Sequence, residues 1–200
     1  MSDSDIEIIQ TAPPPPNIET TLLQQAAFGV SYYWNRAQFA LGSFNWFDRV
    51  DTHVILGALP QDTDLTELTN APLNVSHIIN MCQETEGVER RAKLCGLTHY
   101  RLPCPDFNVP PYEHLVRGAE ILNAVADKGE TALVHCKAGK GRSASVVMCY
   151  LVTRYQLDLE GAQNLLLEKR KQVEPNLKDA IAIRLFYENL KNKDERKPFV

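Results

Sequence analysis

The run His135-Cys136-Lys137-Ala138-Gly139-Lys140-Gly141-Arg142-Ser143 constrains this chain more than any other part of it. Apolar Ala132, Leu133 and Val134 lead into it as a strand would, and a helix-like stretch follows. A strand, a tight loop and a helix N-terminus together form an anion cradle. Its successive backbone N–H groups point inward, and the helix dipole adds partial positive charge. Gly139 and Gly141 permit backbone conformations that side chains would forbid. Ser143 places a hydroxyl at the helix start, where serine favours capping. Cys136, at the mouth of the cradle, is expected to be a thiolate at neutral pH, because cationic neighbours and helix N-termini lower a thiol's pKa. Arg142 can hold two oxygens of a phosphate through its planar fork. Nucleophile, cradle (Lys137 to Gly141) and clamp thus lie within nine residues, and together they specify phosphomonoester chemistry. A cysteine and an arginine six positions apart are weak evidence alone; the strand, glycines and serine around them make the pattern specific.

Composition fits an intracellular enzyme. Two hundred residues, 44% of them hydrophobic, suit one domain with a real core and a short extension. A net charge of −4 argues against a nucleic-acid partner. Five cysteines (Cys82, Cys95, Cys104, Cys136 and Cys149) do not read as a disulfide framework. A thiolate nucleophile also needs a reducing compartment. Cys104 and Cys149 are expected to be inert, small apolar residues.

The N-terminus divides in two. Residues 1–20, with Asp3, Asp5, Glu7 and the run Pro13 to Pro16, read as disordered. Their acidity is wrong for a transit peptide. Residues 21–47 carry only one charge, Arg36, yet hold eight of the chain's sixteen aromatics, including Trp34 and Trp46. Gln24, Gln25, Asn35 and Gln38 interrupt the segment, which argues against a spanning helix. Two readings stay open: a segment lying at a membrane interface, or an amphipathic helix packed on the catalytic domain.

From Asp48 the chain alternates short strands and helices, and residues 48–193 read as the catalytic domain, with a flexible tail at 194–200. Strands are expected at 53–57, 76–81, 98–102 and 131–135. A short helix follows Asp62 or Thr63 through Leu65 and Leu68, and Leu115, Ala119, Leu122 and Ala126 recur at helical spacing up to Gly129. Three more helices are expected at about 143–155, 159–173 and 177–191, with Asp158 and Asn176 as caps and Pro175 between the last two. This alternation predicts an α/β fold with a central mixed, partly parallel sheet covered by helices. The site belongs at the C-terminal edge of that sheet.

A thiolate needs an acid to protonate the leaving alkoxide. Asp106, in the proline-rich loop Leu102-Pro103-Cys104-Pro105-Asp106-Phe107, is the best candidate. Asp127 and Asp158 compete poorly, one near a helix end and the other a cap. His135 is expected to support the loop. Lys137 and Lys140 flank Gly139 and are expected to add two ammonium charges at the rim of the cradle, suited to a substrate with a second phosphate such as a phospholipid head group. No cluster has the spacing of a metal site, and no cofactor is expected.

The order Asp106, Cys136, Arg142, Ser143 resembles the dual-specificity class of cysteine-dependent phosphatases. Trp46-Phe47-Asp48-Arg49-Val50-Asp51, then Val54 to Pro60, Ile79-Asn80-Met81 with Glu84 and Glu86, and His135 to Ala144 are similar to the mitochondrial protein-tyrosine-phosphatase-like family. The likeness covers roughly residues 44–190. Lys140-Gly141 stands where better-known members carry an arginine followed by serine or glycine, so the charge is kept. That resemblance implies dephosphorylation of phosphatidylglycerophosphate on the path to cardiolipin, Asp106 as general acid, and an inner-membrane address in mitochondria, against a cytoplasmic alternative. Two other functions stay open. One is a dual-specificity protein phosphatase or a phosphoinositide phosphatase, since the loop also resembles that of tensin-like enzymes. The other is a non-catalytic phosphate-binding module.

Overall fold

A computed structural model describes residues 22–195. The expected disorder of 1–20 lies outside these residues, as does the tail beyond 195. Helix α1 (Leu22–Ala40) precedes a five-stranded sheet of order β1-β2-β5-β3-β4. Its strands are β1 (Phe47–Arg49), β2 (Val54–Gly57), β3 (His77–Cys82), β4 (Thr98–Cys104) and β5 (Ala132–His135). Only β1 runs antiparallel, so the expected mixed sheet is observed.

The central strands β2, β3 and β5 are buried almost throughout, as parallel strands covered by helices must be, whereas the edge strands β1 and β4 carry polar residues. Ile55, Ile78 and Leu133 face one way, onto Leu65 and Leu68 of α2 (Asp64–Thr69) and Ala92 of α3 (Glu89–Leu94). Val54, Leu56, Ile79 and Val134 face the other way, into the main core. That core is built by α4 (Tyr112–Asp127), α5 (Arg142–Tyr155), α6 (Leu159–Lys169) and α7 (Ile181–Glu195). Every residue of α5 from Arg142 to Val152 is buried, which makes it the central helix of this layer.

Several boundaries differ from expectation. The helix expected at 159–173 stops at Lys169, because Arg170 turns to extended backbone (φ −145°, ψ 92°) and sends its side chain inward. The helix expected at 177–191 is a single 3-10 turn, Leu177–Asp179, followed by α7. Asp158 caps α6 by accepting a hydrogen bond from the Gly161 N–H (2.7 Å), whereas Asn176 makes no side-chain cap. Strand β1 crosses the expected 47/48 boundary, and α3 is too charged and too short to stand out in the sequence.

Helix α1 is docked rather than detached. Trp46 is buried, its ring 6.0 Å from Tyr32 and 5.5 Å from Phe39, with the Arg36 guanidinium 4.6 Å above it. Arg36 also donates to Gln61 (2.7 Å), while Trp46 Nε1 donates to the Leu59 carbonyl (3.1 Å). The opposite face stays bare: Val30, Tyr33 and Trp34 are 75%, 72% and 65% exposed.

Close packing of α4 on α5 gives the fold its first test. A Cβ on Gly118 would lie 2.5 Å from Val146 Cγ1, a stiff β-branched side chain. Gly118→Ala is therefore expected to destabilise the protein in chemical denaturation. The clash, about 1–3 kcal/mol, outweighs a helix-propensity gain of about 1 kcal/mol. A gain in stability would refute this packing.

Candidate active site

Four parallel strands end at one edge of the sheet, and each contributes to a single site there. Strand β5 feeds the Cys136 loop, β3 the segment carrying Glu84, and β4 the segment carrying Asp106, while β2 ends at Gly57 beneath Gly139. The loop turns at Gly139, whose φ of +68° is in the left-handed region. A Cβ there would lie 2.5 Å from the Gly57 carbonyl oxygen, so only glycine fits. Gly141 is different: its φ is −111° and a Cβ would meet nothing within 4 Å. The special conformation expected of both glycines holds for Gly139 alone.

Cys136 sits at the centre, nearly fully buried. Its Sγ accepts hydrogen bonds from the Gly139 N–H (3.2 Å) and the Ser143 hydroxyl (3.3 Å). Ser143 therefore turns to the sulfur and makes no side-chain cap on α5. Burial alone would push the Cys136 thiol up. The Arg142 charge, the Ser143 hydroxyl and the backbone N–H groups of Ser143 and Ala138 outweigh it and hold the thiol below its ordinary value. The neighbouring thiols behave oppositely. Burial pushes Cys104 up to about 11 and drives Cys82 and Cys149 far above the ordinary range.

Arg142 is anchored at the first turn of α5. Its Nη1 donates to Glu84 Oε2 (2.9 Å) and the Cys104 carbonyl (2.8 Å), and Nη2 donates to Asp106 Oδ1 (2.7 Å). Burial works against its charge, but Cys136, Cys82, Glu84 and Asp106 hold its pKa above the usual value. Glu84 does double duty, since its other oxygen accepts the Asp106 N–H at 2.6 Å. Its loop is shaped by a register shift between Asn80 and Cys82. There the Asn80 side chain accepts from the Cys82 N–H (2.8 Å) and donates to the Thr85 carbonyl (3.0 Å). The sequence placed Glu84 only by resemblance, and its role at the arginine carried no separate signal.

Asp106 lies where the acid was expected, its carboxylate between Arg142 and Lys137. Lys137 departs from the rim position expected of it. It is buried, pairs with Asp106, donates to Ser31 Oγ of α1 (2.7 Å), and lies 5.3 Å and 4.9 Å from the rings of Phe28 and Phe107. Lys140 points elsewhere, 5.5 Å from the Phe44 ring, with no carboxylate partner among the described residues. Burial pushes His135 down to about 3, against an opposing interaction with the Cys136 backbone, so its ring is neutral. Asp127 and Asp158 serve elsewhere, pairing with Arg154 and capping α6. Among the described residues no group of three His, Cys, Asp or Glu side chains is arranged to hold a metal.

Residues 57–189 match the family model described as the dual specificity phosphatase catalytic domain. Phosphatidylglycerophosphate phosphatase PTPMT1 of Arabidopsis thaliana is 31% identical over 131 residues, covering 65% of this chain and 39% of that protein. Human phosphatidylglycerophosphatase and protein-tyrosine phosphatase 1 is 30% identical over 135 residues, covering 64% of this chain and 67% of that protein. The matches span only 39% and 58% of the length of the two Arabidopsis relatives. A crystal structure of PTPMT1 superposes with a TM-score of 0.67 at 27% identity, covering 76% of this chain and all of that one. PTPMT1 in complex with PI(5)P gives 0.68 at 26% identity, over 75% of this chain and 99% of that one.

The contrast among thiols is directly measurable. Iodoacetamide is expected to label Cys136 ahead of Cys82, Cys104 and Cys149. The labelling rate should rise with pH through a midpoint below that of a free thiol and level off above it. Arg142→Met should move that midpoint upward, since the charge favouring the thiolate is gone. Labelling led by Cys104, or an unmoved midpoint, would contradict the electrostatics described.

Proposed function

Since this chain belongs to the dual specificity phosphatase family, we propose that it hydrolyses phosphomonoesters through a phosphocysteine on Cys136, with phosphatidylglycerophosphate as substrate. The observation that carries the reading is one buried sulfur whose thiol pKa is lowered, chiefly by the Arg142 charge, with Arg142 in turn bonded to Asp106. Arg142 Nη1 is tethered to Glu84 and the Cys104 carbonyl, so Nη2, now on Asp106, is the edge that meets the phosphate. An incoming phosphate takes over that edge from the Asp106 carboxylate. Asp106 then takes up a proton from solvent, and the neutral carboxyl approaches the phosphate without like-charge repulsion.

Cys136 Sγ attacks phosphorus in line and the bond to the alkoxide oxygen breaks. Arg142 and the loop N–H groups stabilise the equatorial oxygens as charge spreads over them. Asp106 gives its proton to the leaving oxygen. It then takes a proton from the water that attacks the phosphocysteine, while the Ser143 hydroxyl, 3.3 Å from Sγ, donates to the departing sulfur. No step calls on a cofactor.

Three observations support a phospholipid. The relatives from Arabidopsis and human are named for phosphatidylglycerophosphate, and PTPMT1 has been crystallised with a phosphoinositide. Lys140, without a carboxylate partner among the described residues, provides a cation for a second phosphate. The bare face of α1, with Val30, Tyr33 and Trp34, suits a bilayer interface. No described helix is long and apolar enough to cross a membrane, and the proposed contact is peripheral, at the mitochondrial inner membrane.

Cys136→Ser is expected to abolish turnover while leaving the melting temperature near that of the wild type. Asp106→Asn should slow phosphatidylglycerophosphate hydrolysis about 10²–10⁴-fold but an activated aryl phosphate far less; equal losses would remove Asp106 as the acid. Lys140→Ala should weaken the lipid reaction selectively, whereas Lys137→Ala, which removes one of the two cations on Asp106, should impair both substrates. A wild type that prefers phosphotyrosine peptides to the lipid in mixed vesicles would make it a protein phosphatase instead.

A further inference from the structure

Arg170 is a charged side chain with no exposed surface. It leaves the C-terminus of α6 and spreads its donors over two segments far apart in sequence. Nη1 reaches Asp48 Oδ2 (2.5 Å) and the Asn45 carbonyl (3.1 Å), and Nη2 lies 3.5 Å from the Trp46 carbonyl. On the other side, Nε donates to the Gly139 carbonyl (2.9 Å) and Nη2 to the Ala138 carbonyl (3.1 Å). Burying such a charge costs several kcal/mol, and its partners include two successive carbonyls of the catalytic loop.

The Ala138–Gly139 peptide is held at both ends. Its oxygen faces Arg170, and its N–H donates to Cys136 Sγ at 3.2 Å. In a trans peptide the C=O and N–H point in opposite directions, so fixing the oxygen outward aims the hydrogen at the sulfur. The next peptide, whose oxygen is on Nε, turns the Lys140 N–H towards the cradle in the same way. The loop has no slack here, since a Cβ on Gly139 would meet both the Gly57 oxygen (2.5 Å) and Arg170 Nη2 (2.8 Å).

We propose that Arg170 is a positioning residue for the phosphoryl-transfer step. It grips the outer edge of the cradle so that the loop N–H groups face the nucleophile and the transferred phosphoryl oxygens, and it polarises the peptide that lies between its guanidinium and the Cys136 sulfur. This rests on Cys136 being the nucleophile. Arg170 touches neither the sulfur nor the substrate, and acts through the Ala138–Gly139 and Gly139–Lys140 peptides. The same guanidinium ties the segment before β1 to the loop, so the ground beneath Trp46 and α1 is continuous with the cradle.

The test uses the full chain with Arg170→Met and Arg170→Lys, each checked by circular dichroism for folding. A merely structural arginine would lower the melting temperature and nothing else. In the folded Met variant the pH midpoint of Cys136 alkylation is expected to rise and orthovanadate to bind more weakly. Its kcat on an aryl phosphate should fall about ten- to hundredfold, less than loss of a direct oxyanion donor. The Lys variant, which keeps the charge without the fork, should fall between. A folded variant of either kind with wild-type midpoint, vanadate affinity and kcat overturns the proposal. The wild type gives a reading that needs no variant: the Arg170 Nε–H resonance should shift when orthovanadate fills the cradle, and an unmoved resonance also overturns it. If Cys136→Ser kept its activity, the nucleophile itself would be misassigned, an outcome separable from all of these.

Discussion

A sulfur that is to react as a thiolate inside a protein needs its charge compensated, and the rest of this site follows from how that is done. Cys136 stands at the end of a central strand, where burial disfavours the thiolate. Its compensation comes from the N-terminus of α5, from loop N–H groups that turn inward at Gly139, from the Ser143 hydroxyl and from the charge of Arg142. Remove the turn at Gly139 and the loop meets the β2 backbone; remove α5 and neither Arg142 nor Ser143 is in place.

The cations needed for this are themselves buried, and each requires an acceptor. Arg142 is answered by Glu84, Asp106 and the Cys104 carbonyl, Lys137 by Asp106 and Ser31, and Arg170 by Asp48 and four carbonyl oxygens. The result is one connected polar layer along the C-terminal edge of the sheet, reaching from α1 through the catalytic loop to the end of α6. Such a layer is stable only when fully satisfied. It also explains why α1, which supplies Ser31 and Phe28 around Lys137, belongs to the functional unit.

What could be read in the sequence was whatever local pattern dictates. The apolar runs at Ile78-Ile79 and Leu133-Val134, the spacing of Leu115, Ala119 and Leu122, the cap at Asp158 and the loop after Cys136 all announce themselves over a few residues. Glu84 and Arg170 do not. Glu84 lies in a polar connection without periodicity, and its role exists only because β3 and β5 are neighbours. Arg170 sits in Glu168-Lys169-Arg170-Lys171, which reads as a solvated charge run at the end of an amphipathic helix; only the fold reveals that one of the four is buried. Strand β1 has three residues and α3 only two apolar ones, too few for any period to register. Lys137 looked like a rim cation because sequence spacing cannot tell which way a side chain turns from a loop.

The central claim is that catalysis passes through a covalent bond to the Cys136 sulfur. Rapid acid quench of Ser143→Ala during turnover of an aryl phosphate, followed by mass spectrometry of the cleaved chain, tests it most directly. With the donor to the departing sulfur gone, the intermediate should accumulate as a single phosphoryl group on the peptide containing Cys136, after an initial burst of the aryl product. A phosphoryl group on another residue, or steady turnover with no burst and no modified peptide, would contradict the account.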